Sequence, residues 1–245
     1  MLLKIIKPAA LVLSIAIAVF EYYTAVFEFV WPAQWGGNTY WQANKNNSKV
    51  IAITFDDGPS KYTTEVLKLL KEQKTKATFF LMGRQVDAFP EVAKEIAAQG
   101  HEIGNHGYGL IAQQSLDKLY LPSLPDQELL KAETSIYQAT GIKPRYFRPP
   151  GGQIGRNLWR QVEQLQLTTI TGILPFPEAS NSAQKQLKTI ADNLKPGGIL
   201  ILHDGDDANP ESNRGQNVVE LIPMLLKHLD NEGYQVVPLS ELIRQ

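Results

Sequence analysis

The stretch Ile51-Ala-Ile-Thr-Phe-Asp-Asp-Gly-Pro59 decides how the chain is read. An apolar, strand-like run stops at two adjacent carboxylates, and a Gly-Pro turn follows. Consecutive residues of a strand point to opposite faces. Asp56 and Asp57 therefore share one cleft only if the strand ends there. At the C-terminal tip of a strand the two are free to divide the work, one holding a cation and the other moving a proton.

Working outward from this stretch, strand-like runs recur at 77–82, 101–105, 145–147, 168–172, 198–202 and 234–237, after the first at 50–55. Helix-like runs lie between them, near 62–73, 90–98, 126–139, 155–166, 183–193 and 216–230. Helical spacing shows in Val66, Leu67 and Leu70, and in Leu129, Leu130, Ile136 and Tyr137. Strand followed by helix, repeated this often, predicts a parallel sheet with helices outside it. In one domain of this length, that means an α/β fold with a closed or nearly closed (β/α) barrel. The alternative is an open doubly wound sheet, but no Gly-rich phosphate loop follows any strand.

The chain has 245 residues, with 24 Lys+Arg against 25 Asp+Glu. That near balance argues against nucleic acid as a partner, since phosphate binding needs a clustered basic surface. The absence of cysteine excludes disulfides, thiolate metal sites and cysteine nucleophiles. Lys4 and Lys7 precede the apolar run Pro8–Phe20, the layout of a signal peptide or an N-terminal membrane anchor. Basic residues on the near side keep that end inside and send the domain out. The expected organisation is a signal or membrane anchor over 1–31, a linker or surface-packed arm over 32–48, and the barrel over 49–245. The expected location is extracytoplasmic, membrane-anchored or secreted.

Active sites of such barrels gather at the C-terminal ends of the strands. Four polar clusters fall there: Asp56-Asp57-Gly58-Pro59, Asn105-His106, Arg148-Pro149-Pro150-Gly151-Gly152, and Leu202-His203-Asp204. With them, Thr54-Phe-Asp-Asp-Gly-Pro-Ser60, Gly100-His-Glu-Ile-Gly-Asn-His106, Tyr146-Phe-Arg-Pro-Pro-Gly151 and Leu202-His-Asp204 resemble, in order, the motifs of the polysaccharide deacetylase family, the NodB-homology domain. The resemblance implies a distorted (β/α) barrel with parallel strands. It also implies a hydrolase that removes acetyl groups from N-acetylated or O-acetylated sugars, the N-acetyl favoured, in a polysaccharide or oligosaccharide of the cell wall or extracellular matrix. The family's cofactor is a divalent metal ion, often zinc.

By position, Asp56 resembles the catalytic base, Asp57 the metal-binding carboxylate, and His106 the first metal histidine. Arg148 resembles the residue that orients the base, and His203 the acid that protonates the leaving amine. Pro149, Pro150, Gly151 and Leu202 are the implied substrate-binding residues, with Leu202 lining an acetyl pocket. The division of labour is chemically sound, because a metal activates water while a free carboxylate takes its proton.

Two departures stand out. Leu110 replaces the expected second metal histidine, leaving Asp57 and His106 where catalytic zinc usually has three protein ligands. Gln113 or Gln114 is a candidate oxygen donor. The segment 170–181 lacks the family's Asp and Trp and offers Phe176, Glu178 and Asn181. The alternative reading is therefore a weakened or inactive carbohydrate-binding protein on the same fold. His101, at the start of its strand, is expected to be structural, Trp159 a packing residue, and His228 a surface or capping residue.

Overall fold

The computed structural model describes residues 39–40, 43, 48–109, 127–152, 156–172, 182–205 and 213–244. The signal or anchor of 1–31, most of 32–48, Leu110, Gln113, Gln114, Phe176, Glu178 and Asn181 lie outside the described residues.

In chain order the elements are β1 (Thr39–Tyr40), β2 (Val50–Asp56), α1 (Thr63–Glu72), β3 (Thr78–Leu81), α2 (Gly83–Ala88), α3 (Pro90–Ala98), β4 (Glu102–Asn105) and α4 (Glu128–Thr140). Then come β5 (Tyr146–Phe147), a 3-10 turn (Pro150–Gly152), α5 (Arg156–Gln164), β6 (Thr168–Ile170), α6 (Ala183–Asn193), β7 (Ile199–His203), α7 (Arg214–Asn231), β8 (Gln235–Val236) and α8 (Leu239–Arg244). The sheet runs β1-β6-β5-β4-β3-β2-β7, with β8 beside the first half of β2, and every pairing is parallel. This is the distorted (β/α) barrel that the strand–helix alternation predicts.

Strand alternation sorts the apolar residues into two layers. Ile51, Ile53 and Phe55 of β2 join Phe79, Leu81, Leu200 and Leu202 in a cluster with Val66, Leu67 and Leu70 of α1 and Val218, Leu221 and Leu225 of α7. The other face, Ala52, Phe80, Ile170 and Ile199, packs with Val237, Leu239 and Leu242. The layers differ sharply in what they tolerate. The strand residues of the helix-facing layer are apolar, while Thr54, Asp56 and Arg148 are buried on the inner face.

Two details refine the sequence reading. The described residues of the arm over 32–48 pack on the domain, as the second of its two expected forms: Thr39–Tyr40 pairs with Thr169–Ile170, and the Ala43 N–H reaches the Gly197 carbonyl at 3.0 Å. It thus bridges from β6 toward the start of β7, where the sheet's two edges face each other. In α4, Leu129 and Ile136 are buried but Leu130 is 46% and Tyr137 58% exposed. Neighbouring residues on a helix are about 100° apart, and in α4 the buried stripe takes Leu129 and Ile136 while Leu130 and Tyr137 lie beyond its edge. Ala132 completes the buried stripe instead.

Candidate active site

Register levels the strand ends. Asp56 lies opposite both Phe80 and His203, Leu81 opposite Asn105, and Asn105 opposite Phe147. The next residues along, Asp57, His106 and Arg148, consequently emerge on one rim. The opening question about the two aspartates is answered by the backbone. Asp57 has φ 69°, a left-handed conformation that costs an L residue on the order of 1–2 kcal/mol. That reversal ends the alternation and lets both carboxylates face His106. Close packing holds the turn in place, since a Cβ on Gly205 would collide with the Asp57 carbonyl.

Asp56 is held from below. The Arg148 Nη1 donates to Asp56 Oδ1 at 2.7 Å and to Thr54 Oγ1 at 2.6 Å, and its Nε donates to the Ile170 carbonyl at 3.2 Å. The guanidinium also lies over the Phe80 ring, 4.1 Å from its centre. Arg148 is 2% exposed, so this ion pair is sealed within the barrel and its geometry is fixed by β2, β5 and β6 together. Such a clamp keeps a carboxylate in one orientation, as a general base needs.

Asp57 sits higher and has different company. Its Oδ1 is 3.3 Å from His106 Nε2, and its Oδ2 is 3.2 Å from Arg214 Nη1. Burial alone would raise its pKa, but the hydrogen bond and charge of His106, followed by the charges of His203 and Arg214, hold it well below the usual carboxylate range. His106 Nδ1 donates to the Arg148 carbonyl at 2.7 Å, since a carbonyl only accepts. This fixes the ring with Nε2 toward Asp57, the orientation that a metal-ligating histidine takes from its outer partner. Burial pushes the His106 imidazolium down, but the Asp56 and Asp57 carboxylates outweigh it and raise its pKa. A positive charge, proton or metal ion, therefore belongs between Nε2 and Oδ1.

The donor types at this pair suit a divalent cation, and the geometry brings them together. As a zinc site the pair is incomplete. Among the described residues no group of three His, Cys, Asp or Glu side chains converges on one point. Position 110 carries no donor atom.

His203 ends β7 beside Asp56. Burial, reinforced by the Arg214 charge, pushes its pKa down to about 4 despite the nearby aspartates. The neutral imidazole is the form that this setting favours. Asp204, fully buried, ties the rim together. Thr63 Oγ1 donates to its Oδ2 at 2.5 Å, and Ser60 Oγ donates to its carbonyl at 2.5 Å. Burial pushes its carboxyl up to about 7.

One assignment needs correcting. Leu202 does not line the pocket, because it packs with Phe55 in the helix-facing layer. Ile201 lies on the same inner face as His203 by alternation. Pro149 and Pro150 are buried under the rim, whereas Gly151 is exposed at it with φ 67°. His101 lies far down the barrel. Its Nδ1 accepts from the Ala77 N–H at 3.2 Å and its ring meets Phe79 edge-on, a structural role. Trp159 packs against the Leu158–Val162 cluster, and His228 is half-buried in the last turn of α7.

The sequence reading missed Arg214. Its one signal was a cation at the first turn of a helix, where the dipole disfavours it.

Comparison with known proteins agrees with this geometry. The family model described as polysaccharide deacetylase matches residues 43–170. A peptidoglycan-N-acetylglucosamine deacetylase of Bacillus cereus is 34% identical over 85% of this chain and 94% of its own length. A bifunctional xylanase/deacetylase of Pseudobutyrivibrio xylanivorans is 30% identical over 81% of this chain but only 31% of its own. Among solved structures, the Bc1960 peptidoglycan N-acetylglucosamine deacetylase superposes with a TM-score of 0.75 at 25% identity, covering 87% of this chain and 97% of that one. With this identity spread along almost the whole of a relative, and the motif residues meeting on one rim, the chain belongs to the polysaccharide deacetylase family.

Proposed function

We propose that the protein hydrolyses the N-acetyl groups of a cell-wall glycan of the peptidoglycan type. The observation that carries this reading is the pairing of a clamped carboxylate, Asp56, with a second carboxylate–imidazole pair, Asp57 and His106, on one rim. The named relatives supply the substrate class.

In this reading Asp56, oriented by Arg148, takes a proton from water as the water oxygen attacks the acetyl carbonyl. The carbon–nitrogen bond then breaks, the acyl group leaves as acetate, and the sugar nitrogen takes a proton to become an amine. His203, whose neutral form is favoured, donates to that nitrogen after the proton taken up by Asp56 has passed to it, which returns Asp56 to its starting form. Its disfavoured imidazolium gives the proton up readily. Asp57 Oδ1 and His106 Nε2 are the atoms that would hold a divalent cation. The chemistry such an ion supplies when bound is Lewis acidity toward the acetyl oxygen and toward water. Gly151, at the rim, is placed to meet the sugar chain, and Ile201 to meet the acetyl methyl.

A glycan outside the cytoplasmic membrane agrees with residues 1–31 acting as a signal or anchor. The test is acetate release from peptidoglycan fragments and from N-acetylglucosamine oligomers, with cobalt, zinc or manganese supplied, beside Asp56→Ala. Folded wild-type protein that releases no acetate under any of these conditions sinks the reading and leaves a glycan-binding barrel. Recovery of the full-length chain in the soluble cytoplasmic fraction refutes the location.

A further inference from the structure

We propose that Arg214 and a divalent cation compete for Asp57, so that this guanidinium sets how tightly the Asp57–His106 pair takes metal. The inference rests on the reading of that pair as the cation-holding atoms.

Both oxygens of Asp57 are engaged, Oδ1 toward His106 at 3.3 Å and Oδ2 toward Arg214 at 3.2 Å. The arginine is no wandering surface side chain, since only 16% of it is exposed. Arg214 opens α7, an 18-residue helix with no acidic residue in its first turn. A cation there opposes the helix dipole, so the helix gives no reason for it. The next residue shows how it is held. A Cβ on Gly215 would collide with the Tyr62 ring, so α7 packs directly on the loop that leads from Asp57 into α1. That close approach brings Arg214 over the carboxylate.

The consequence for metal is electrostatic. An ion bound at Asp57 lies within a few ångströms of a fixed positive charge, in a site that water screens poorly. Leucine at position 110 supplies no side-chain donor to offset the repulsion, and among the described residues no third His, Cys, Asp or Glu joins the pair. The ion must displace the guanidinium from Oδ2 or bind Oδ1 alone beside it. Either route weakens binding.

Cobalt(II) titration calorimetry on the full chain, with the cobalt absorption spectrum as a second readout, tests this. Arg214→Gln removes the charge, and Arg214→Met removes it while keeping the hydrocarbon volume. Each is expected to bind cobalt at least about tenfold more tightly than wild type. Arg214→Lys retains the charge and should stay within about threefold of wild type. The gain must vanish in an Asp57→Asn background, an outcome that a merely structural arginine would not produce. Thermal unfolding establishes which variants are folded. Equal or weaker binding in both neutral variants overturns the proposal, as does no binding in any of the proteins. Acetate release is scored separately. A gain in metal affinity without turnover keeps this inference and removes the deacetylase reading; turnover without the gain does the reverse.

Discussion

Asp56 and Asp57 are neighbours with the same side chain, and the fold gives them opposite surroundings. Asp56 belongs to the strand. It is 2% exposed and bound by an arginine that is itself sealed in by Thr54, Phe80 and the Ile170 carbonyl. Asp57 has left the strand, with a left-handed backbone, a side chain 17% exposed, and a histidine and an arginine on separate oxygens. One carboxylate is locked and the other is left able to exchange partners. That asymmetry suits Asp56 to accept a proton and Asp57 to hold a cation, the roles proposed above, without any change of residue type.

The comparison breaks most visibly at the lock. Arg148→Met leaves the Asp56 charge buried without its partner, and losing one member of a buried ion pair costs about 3–5 kcal/mol. Urea unfolding should show a loss of that size together with loss of acetate release. A change under about 1 kcal/mol means that the clamp is looser than the distances imply. A gentler probe is Asp56→Asn, which keeps the shape and the arginine but removes the base. Acetate release should fall about 10²–10⁴-fold, while cobalt affinity stays close to wild type. Asp57→Asn should lower both. If the two substitutions behave alike, the aspartates share one role and the division of labour fails.

His203 sharpens the same point from across the cleft. Removing a proton donor matters most when the leaving group is a poor one. His203→Ala should cost about 10²–10⁴-fold on an acetamido sugar and far less on an activated aryl acetate, whose leaving group departs unaided. Equal losses on both substrates would assign His203 to binding rather than to proton delivery.

Much of this was legible in the sequence because strand ends are punctuated. An apolar run that stops at a charged pair, or at Arg-Pro-Pro, marks both the element and the site. Asp56, Asp57, His106, Arg148 and His203 stand out that way, and the fold brings them together. Three things were hidden for physical reasons. The turn at Asp57 depends on a backbone angle, and Asp tolerates both signs of φ well enough to give no warning. Leu202 was placed on the wrong face because a one-residue offset inverts a strand, and only packing against Phe55 reveals the phase. Arg214 sits in no motif. It reaches Asp57 because α7 docks on Tyr62, a tertiary contact between segments about 150 residues apart.

The smallest effect concerns Asp204, which accepts hydrogen bonds from Ser60 and Thr63 in the segment that follows Asp57. Its carboxyl is pushed up to about 7 from an ordinary 3.8 by burial. Between those values the folded chain keeps a proton that the unfolded chain has released, so its contribution to stability is present in acid and is lost as pH rises through 7. His101 and His203, both pushed down to about 4, act in the opposite sense, but only below 6.5, where the unfolded chain gains protons that the fold refuses. His106, raised above 6.5, adds a slope of the same sign as Asp204. The readout is therefore the difference between two proteins. Urea unfolding at steps from pH 6 to 8.5 should show wild type losing stability faster than Asp204→Asn, whose amide keeps an acceptor for Thr63 and carries no proton to release. Parallel curves would mean that Asp204 is ionised in the folded chain.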